Sequence, residues 1–278
     1  MQKEDNTLSI LGPEYSYTHI LALSLFPKSE FVFCSSIPEI FNKVANDEAS
    51  VGLSPIENLL HGSVRDSILG LQKHKLKINN SYDLPIKHCL ASQFNSFNKI
   101  ASHPQGLGQC SLILEKLRKK GIEIIETQST SGAMQLASKD KDIAAIGSEK
   151  SAKHFNLKII EKDIGDSKDN VTRFILFSKK ENENENVKGK DIRTSLLIIP
   201  EKDRPGLLYD ILSVFKGGVI NLTKLESIPS GKKLGQYEFF IEAEGCLKDN
   251  NFKVAMNILK EDYNVINFGS YELERVED

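Results

Sequence analysis

Uncharged hydroxyl and amide side chains dominate the segments of this sequence that could do chemistry. Hydroxyl residues cluster where helices are predicted to begin, at Ser16 and Thr18, at Ser63, and at Ser129 to Ser131. Backbone N–H groups and the positive end of the helix dipole at such positions suit a carboxylate without adding net charge. The same residue types also serve as plain helix caps, so each cluster alone is compatible with either role.

Metal and nucleophile chemistry find little support in the sequence. The four cysteines are scattered, with no CxxC pair and no Cys/His cluster, which argues against a zinc site or a disulfide framework. The six histidines are unclustered as well, and His103, beside a proline, is better explained by a structural hydrogen bond than by acid catalysis. We therefore expect no metal and no cofactor.

Composition excludes several partner classes. The chain has 278 residues, with 36 Lys and Arg against 38 Asp and Glu, so its net charge is -2. Such a balance gives no long-range field to hold nucleic acid or an anionic membrane. The first residues lack the basic end and apolar run of a signal peptide, and no apolar stretch approaches the roughly 18 residues of a membrane span. We expect a cytoplasmic protein.

The elements that must position these residues follow an alternating pattern. Short apolar runs alternate with amphipathic stretches through the first part of the chain, as in LSIL followed by YTHILALSLF, which is typical of βαβ units. A second such set begins near Lys99 and includes a helix predicted from about Leu107 to Lys119. The strand VTRFILFS returns to the first set. Two α/β lobes separated by a ligand-binding cleft are therefore predicted, with lobe 1 at about 1–85 and 160–180 and lobe 2 at about 86–159.

A polar run rich in alternating Glu and Asn separates this region from a second domain. We interpret residues 181–191 as a flexible linker, because they cannot bury a core. Residues 192–278 follow the order βαββαβ, the ferredoxin-like α+β arrangement. Helices would cover one face of its sheet, and we expect a second subunit to protect the other face or the edge.

Seven segments, taken together, identify a family. They are GPEYSYTH at 12–19, PIENLLHGSV at 55–64, SHPQGLGQC at 102–110, STSGA at 129–133, NVTRF at 170–174, RPGLL at 204–208 and INLTKLESIP at 220–229. In this order and spacing they resemble prephenate dehydratase with an attached ACT domain, over essentially the whole chain. The resemblance implies a two-lobed, periplasmic-binding-protein-like α/β catalytic domain (1–180) and a ferredoxin-like ACT regulatory domain (192–278).

The resemblance implies a reaction that needs no nucleophile, metal or redox cofactor. Prephenate carries two carboxylates and a ring hydroxyl, and aromatisation drives the concerted loss of carbon dioxide and that hydroxyl. A protein that catalyses this step must hold a dianion and donate a hydrogen bond or proton to the leaving oxygen. The product is phenylpyruvate, a precursor of phenylalanine.

Carried over from the family, the catalytic role falls first on Thr172, as a preorganised hydrogen-bond donor to the leaving hydroxyl. Asn58 and Gln109 suit positioning because their amides do not titrate, and Glu57 suits a supporting role because it would repel a dianion. In an extended TRFIL segment, Thr172 would point to one face and Arg173 to the other. The implied substrate-binding residues are Ser16, Thr18, Gly62, Ser63, Ser102, Ser129, Thr130, Ser131, Arg173 and Phe174.

Arg173 has two open interpretations. It could anchor substrate, or it could pair with a nearby carboxylate such as Asp166 or Glu161.

Two departures from the family pattern fall within the predicted site. Tyr15 stands where the family usually has Gly, and Leu59 where it has Ser. Either change could weaken the activity, since glycine permits positive φ and a serine hydroxyl can contact charge. Three alternatives therefore stay open: an arogenate dehydratase, a non-aromatising decarboxylase, against which Thr172 argues, and a catalytically weak phenylalanine sensor.

In the C-terminal domain, the resemblance implies that an amino acid, expected to be phenylalanine, binds between two paired ACT domains. This predicts a homodimer or homotetramer with allosteric feedback. The motifs are imperfect, because Ile228 replaces an arginine and Leu207 replaces an alanine, and an ACT domain that only dimerises is an alternative. The implied effector residues are Pro205, Gly206, Leu207, Leu208, Asn221, Leu222, Glu226 and Ser227.

Overall fold

A computed structural model describes residues 7–180, 191–231, 233 and 235–276. Its strands form two sheets. The larger has ten strands and the smaller has five. No helix of the described residues is long and apolar enough to cross a membrane.

The first lobe contains the predicted alternation of strands and helices, and its strands lie at one end of the larger sheet. Parallel pairing joins β1 to β2 and β3, and antiparallel pairing joins β11 to β3 and β5. Its elements are β1 (Thr7–Leu11), α1 (Tyr17–Leu25), β2 (Glu30–Cys34), α2 (Ile37–Ala45), β3 (Val51–Asn58), β4 (Gly62–Ser63), α3 (Arg65–His74) and β5 (Lys77–Pro85).

The second lobe carries the smaller sheet. The single helix expected from about Leu107 to Lys119 is two helices, α4 and α5, which are interrupted at Gln109 and Cys110. This break turns the side chain of Gln109 toward the first lobe. The elements are β6 (Cys89–Ser92), β7 (Lys99–Ser102), α4 (Pro104–Gly108), α5 (Ser111–Arg118), β8 (Glu123–Glu126), α6 (Thr130–Lys139), β9 (Ile143–Gly147), α7 (Glu149–His154) and β10 (Lys158–Glu161).

The strand β11 (Val171–Ser178) returns to the larger sheet and lies between β3 and β5. The predicted linker, 181–191, lies outside the described residues except for Asp191. The elements that follow are β12 (Ile192–Ile199), α8 (Leu207–Gly217), β13 (Leu222–Pro229), β14 (Tyr237–Glu244), α9 (Asn250–Asp262) and β15 (Asn264–Arg275). The strand order of the larger sheet is β13-β14-β12-β15-β5-β11-β3-β1-β2, with β4 paired to β3, and that of the smaller sheet is β10-β6-β9-β7-β8. The predicted α/β class and the βαββαβ order are confirmed.

The C-terminal sheet continues directly into the N-terminal one. β15 pairs with β12 over its first part, and its last residues, Leu273–Arg275, pair in parallel with β5. Gly269 lies before this transition, at the register shift between Asn267 and Gly269 in the pairing with β12. Its φ is 113°, and a Cβ there would approach the carbonyl oxygen of Ile78 to 2.9 Å. Only glycine tolerates both that backbone conformation and the close approach.

One hydrophobic core is shared between the C-terminal strands and the helices α2 and α3. The face of the C-terminal sheet opposite its own helices α8 and α9 packs against lobe 1 of the same chain. The expectation that another subunit covers this face is therefore wrong, because α2 and α3 bury it; protection of the edge at β13 stays a prediction. The shared core includes Ile40, Phe41, Ile68, Leu71, Leu197, Ile228, Phe240 and Phe268.

Candidate active site

A cavity of about 360 Å³ lies between the two lobes. Its wall is formed by the first turns of three helices, α1, α4 and α6, and by side chains of β3 and β11. The lining residues are Leu11, Gly12, Ser16, Tyr17, Thr18, Ile37, Pro55, Asn58, Val64, Ile86, His88, His103, Gln105, Gly106, Gln109, Gln128, Ser129, Thr130, Thr172 and Phe174. We call this cavity the cleft.

The three helices begin at the cleft because their first residues are effective caps. Ser16 Oγ accepts a hydrogen bond from His19 N at 3.3 Å, and Ser129 Oγ accepts one from Gly132 N at 2.9 Å. His103 caps the short helix α4 through Nδ1, which accepts from Gln105 N at 3.2 Å. The positive ends of these helices therefore face the same space, which favours an anion there.

None of the described residues that line the cleft is Asp, Glu, Lys or Arg. An acidic ligand in it would meet no carboxylate and would be held by helix N-termini and uncharged donors. Thiolate chemistry has no support nearby, because burial raises the pKa of Cys89 and of Cys110 to about 12. The site therefore favours binding and hydrogen-bond donation over nucleophilic attack.

Thr172 and Asn58 form the best-defined pair in the cleft. They are register partners on β11 and β3, and Asn58 Nδ2 donates to Thr172 Oγ1 at 2.9 Å. Since the threonine oxygen accepts this bond, its own hydrogen remains free for a ligand. Asn58 is only 5% exposed, and its Oδ1 accepts from the backbone N–H of Leu60 and of His61, both at 3.1 Å. Asn58 is thus fixed from both sides.

A chain of polar contacts continues across the cleft from Asn58 into the second lobe. His61 Nδ1 lies 3.0 Å from Asn58 Oδ1 and 3.3 Å from Gln109 Nε2. The amide of Gln109 in turn lies 2.8 Å from His88 Nε2, and His88 Nδ1 lies 3.1 Å from the hydroxyl of Tyr17. These contacts connect the two lobes through hydrogen-bonding side chains.

His88 is held in its neutral form. Burial lowers its pKa, opposed by the hydrogen bond to Gln109, and only 3% of the residue is exposed. The single N–H of the neutral ring lies on Nε2 and donates to Gln109 Oε1, so Nδ1 is an acceptor. The Tyr17 hydroxyl lies 3.1 Å from this Nδ1 and 2.6 Å from the carbonyl oxygen of Lys87. A neutral imidazole in this position orients Gln109 rather than supplying charge.

Comparison with known proteins decides the family. A sequence profile described as prephenate dehydratase matches residues 8–182. The chain belongs to the prephenate dehydratase family. It is 39% identical over 236 residues to a prephenate dehydratase from Methanocaldococcus jannaschii, covering 82% of this chain and 81% of that protein.

Two further proteins are similar to most of this chain. An arogenate dehydratase/prephenate dehydratase from Arabidopsis thaliana is 33% identical, over 90% of this chain and 67% of that protein. The solved prephenate dehydratase from Arthrobacter aurescens, in complex with L-Phe, superimposes with a TM-score of 0.85 at 27% identity. It covers 96% of this chain and 90% of that chain, so the two-lobed architecture and the C-terminal domain belong to one shared fold.

The cleft brings together more than half of the residues predicted for the site. They come from α1, β3, α4, α6 and β11, which are distant in sequence. The predicted alternation of β11 is confirmed, because Thr172 and Phe174 line the cleft and Arg173 does not. The predicted residues found in the cleft are Ser16, Thr18, Asn58, Gln109, Ser129, Thr130, Thr172 and Phe174.

Glu57 and Arg173 lie on the opposite face of the same strands. Strand alternation turns both side chains away from the cleft, so neither is placed to contact a ligand there. Arg173 pairs with Asp83, not with Asp166 or Glu161, and donates to its carboxylate at 2.7 and 3.0 Å. We keep the supporting role predicted for Glu57 as a proposal.

The remaining predicted residues make structural contacts around the cleft. Ser63 Oγ donates to Glu226 Oε2 at 2.9 Å, and Ser102 Oγ donates to the carbonyl oxygen of Ile146 at 2.9 Å. Ser131 donates to the carbonyl oxygen of Glu14. Gly62 is the first residue of β4 and has a φ of 76°. The hydroxyls of Ser63, Ser102 and Ser131 are thus already hydrogen-bonded to protein groups.

The two departures from the family pattern lie outside the cleft, contrary to expectation. Tyr15 takes a φ of 58° and its ring stacks on His154 of lobe 2, with centroids 3.6 Å apart. Its backbone N–H donates to His19 Nδ1 at 2.8 Å, which fixes the turn in that conformation. Leu59 is 62% exposed and lines a separate depression. Neither side chain narrows the cleft.

The predicted effector residues are spread over the first turn of α8 and the edge strand β13. Gly206 caps α8 with a φ of 81°, Leu207 is buried, and Asn221 and Ser227 are exposed. Glu226 faces the other way and accepts from Ser63 of lobe 1. Pro205, Leu208 and Leu222 complete this segment.

Sequence reasoning missed several polar residues of the cleft. His88 is one of six histidines that are unclustered in the sequence, and it lies in the short segment that joins the lobes. Tyr17 and Gln105 lie inside two of the recognised segments, so their motif position was an available signal. Gln128 lies directly before the recognised segment that begins at Ser129.

Proposed function

We propose that this protein is a prephenate dehydratase, a carbon–oxygen lyase of phenylalanine biosynthesis that converts prephenate into phenylpyruvate, carbon dioxide and water. The observation that carries this is the Thr172 hydroxyl, held by Asn58 in a cleft whose described lining includes no Lys, Arg, Asp or Glu. One proton is taken up, since a dianion becomes a monoanion and two neutral products. Ring aromatisation drives the reaction, so donation to the departing hydroxyl is the main requirement.

In this proposal the carboxylates of prephenate lie at the N-termini of α1 and α6, where Ser16, Thr18, Ser129 and Thr130 line the cleft. Helix dipoles stabilise anions without the strong solvation that a lysine or arginine pair would give. The ring hydroxyl then faces Thr172, which donates its free hydrogen. Gln109 and Asn58 hold the remaining polar atoms in position.

The substrate choice follows from the absence of carboxylates among the described lining residues. Arogenate carries an ammonium where prephenate carries a keto oxygen. No Asp or Glu lines the described part of the cleft to pair with that ammonium, and burying an unpaired charge is costly. The Arabidopsis relative keeps arogenate as a second candidate, and we propose prephenate as the preferred substrate.

We further propose that residues 192–278 are an ACT regulatory domain and that phenylalanine is the allosteric effector, as the L-Phe complex of the Arthrobacter relative suggests. Ile228, at the position of the family's arginine, is 1% exposed in the core shared with lobe 1. The substitution therefore exchanges a charge for apolar packing between domains. A homodimer or homotetramer, formed at the edge strand β13, would complete the effector site.

A cytoplasmic location is also part of the proposal. All four cysteines of the chain lie within the described residues and all are free thiols. Free buried cysteines are typical of proteins in reducing compartments.

The test is turnover by the purified protein with prephenate and with arogenate, in separate assays of product formation. Thr172→Ala should lower kcat by roughly a hundred- to a thousandfold, because one preorganised donor is lost. Thr172→Ser, which keeps the hydroxyl, is the matched control and should retain most of the activity. Phenylalanine binding without turnover of either substrate would instead identify a sensor protein.

A further inference from the structure

Four charged side chains join the N-terminal and C-terminal strands behind the cleft. Glu57 and Arg173 are register partners on β3 and β11, and Lys224 and Glu242 are register partners on β13 and β14. Lys224 Nζ lies 3.1 Å from Glu57 Oε1, and Arg173 Nη1 donates to Glu242 Oε1 at 3.0 Å. We call these four residues the charge quartet. Its charges alternate in sign and sum to zero.

The charge quartet adjoins the pair that we place at the centre of the reaction. Asn58 follows Glu57 on β3, and Thr172 precedes Arg173 on β11. The strands are also in register there, with Thr172 opposite Asn58 and Arg173 opposite Glu57. Because neighbouring residues share one rigid backbone and point to opposite faces, a displacement of the charged pair displaces the cleft pair with it.

Two members of the quartet, Arg173 and Glu242, are held in one geometry by further partners. The side chains of Lys224 and Glu242 are only 6% and 4% exposed. Glu242 also accepts from the hydroxyls of Tyr271 at 3.0 Å and Thr223 at 2.7 Å. Burial opposes the charge on Arg173, but Asp83 and Glu242 raise its pKa well above the usual value. Such fixed, buried, charge-assisted contacts permit few alternative arrangements.

Lys224 depends on Glu57 more than any other member does on its partner. Among the described residues, Glu57 is the carboxylate paired with it, and no hydrogen bond of good geometry satisfies its Nζ. A buried ammonium with a single off-axis contact responds to any movement of β13. That strand also carries the predicted effector residues Glu226 and Ser227.

We propose that the charge quartet positions Asn58 and Thr172 for catalysis and transmits the state of the C-terminal domain to the cleft. Glu57 and Arg173 are then positioning residues, which act through their neighbours and do not touch the substrate. This inference rests on the proposed function, and it adds the route by which the two domains communicate.

The deciding experiment compares Lys224→Met with the wild-type chain. Methionine preserves the packing of the lysine stem and removes only the charge. We expect kcat to fall roughly ten- to a hundredfold with little change in KM, because small misplacement of catalytic groups affects the reaction more than binding. In the double variant with Glu57→Gln, kcat should fall no further than in the single variant with the larger loss. The fold inhibition by phenylalanine should also shrink, while calorimetry shows phenylalanine still bound.

Two controls separate positioning from general loosening. Lys224→Arg restores the charge and should recover most of kcat. Glu238→Gln removes a charge from the same interface, where Glu238 accepts from Gln72 Nε2 of α3 at 2.7 Å, away from β3 and β11. It should leave kcat unchanged. If Lys224→Met fails to fold by circular dichroism, Glu242→Gln takes its place with the same expectations.

The outcomes distinguish this inference from the proposed function. A wild-type protein without turnover rejects the proposed function, and the threonine-methyl NMR signal of Thr172 then becomes the readout. A shift of that signal in Lys224→Met but not in Glu238→Gln supports positioning. Wild-type kcat and an unshifted Thr172 signal in Lys224→Met would overturn the inference, as would equal losses in Glu238→Gln.

Discussion

The two faces of the β3 and β11 strand pair are built from opposite kinds of side chain. On the cleft face, Asn58 and Thr172 are uncharged and connected by one directed hydrogen bond. On the rear face, Glu57 and Arg173 are charged and paired with residues of the C-terminal strands. The comparison indicates that one sheet separates two tasks: uncharged donors meet the ligand, and charges fix the domains behind it.

The largest effect should come from the rear face. Arg173→Met leaves Asp83 and the buried Glu242 without their cationic partner, and it should lower the free energy of unfolding by about 3–5 kcal/mol. Urea unfolding measures this. The control Arg204→Met removes an arginine from an exposed pair with Asp210 and should change stability little. Equal effects of both substitutions would mean that the rear face has no special structural role.

On the cleft face, Asn58→Ala should affect both activity and stability. It removes the group that orients Thr172 and leaves the backbone N–H groups of Leu60 and His61 without their acceptor. We expect kcat to fall by roughly a hundredfold and stability by about 1–3 kcal/mol. Steady-state kinetics and urea unfolding report the two effects separately. A stability loss with normal kcat would break the assignment of Asn58 to catalysis.

His88 gives the cleft a pH-dependent contribution to stability. Burial lowers its pKa in the folded protein, so below about pH 6.5 the unfolded chain binds a proton that folded His88 does not. Stability should therefore fall as pH is lowered through this range, by up to about 1.4 kcal/mol per pH unit from this group. Measured by urea unfolding, the free energy of unfolding of the His88→Gln variant should fall less steeply than that of the wild type between pH 7 and 5. Parallel declines would contradict the prediction.

The smallest effects should come from the two family departures. Tyr15→Gly relieves the strain of a positive φ, which stabilises the fold by about 1 kcal/mol. It also loses the stacking on His154, which costs about 0.5–1.5 kcal/mol, so stability should change little. We expect kcat within about twofold of wild type for Tyr15→Gly and for Leu59→Ser, since neither side chain lines the cleft. A large gain in kcat from either substitution would show that Tyr15 or Leu59 slows the reaction in the wild-type protein.

Local features of the fold and the site could be predicted from the sequence. Ser16 and Ser129 are effective caps by residue type, and the alternation that separates Thr172 from Arg173 follows from strand geometry alone. The order of elements in both regions followed from apolar periodicity. These signals are contained within a few neighbouring residues.

Contacts between distant segments could not be predicted in this way. Nothing near Arg173 in sequence indicates Asp83 or Glu242, and the nearby carboxylates Asp166 and Glu161 were misleading. The pairing of β15 with β5 is equally invisible, because register between elements is set by packing. His88 is similar: a lone histidine acquires meaning only when Gln109 and Tyr17 are placed beside it.

The continuity of β15 with β5 has a consequence for biosynthesis of the chain. β5 lies at residues 77–85, and its partner is not made until the ribosome has translated residues 273–275. Until then, one edge of the nascent sheet and the apolar surface of α2 and α3 are uncovered, which is the kind of surface that chaperones bind. A fragment ending near residue 180 would keep that surface permanently, so cutting at the predicted linker should yield an aggregation-prone product and not an independent enzyme.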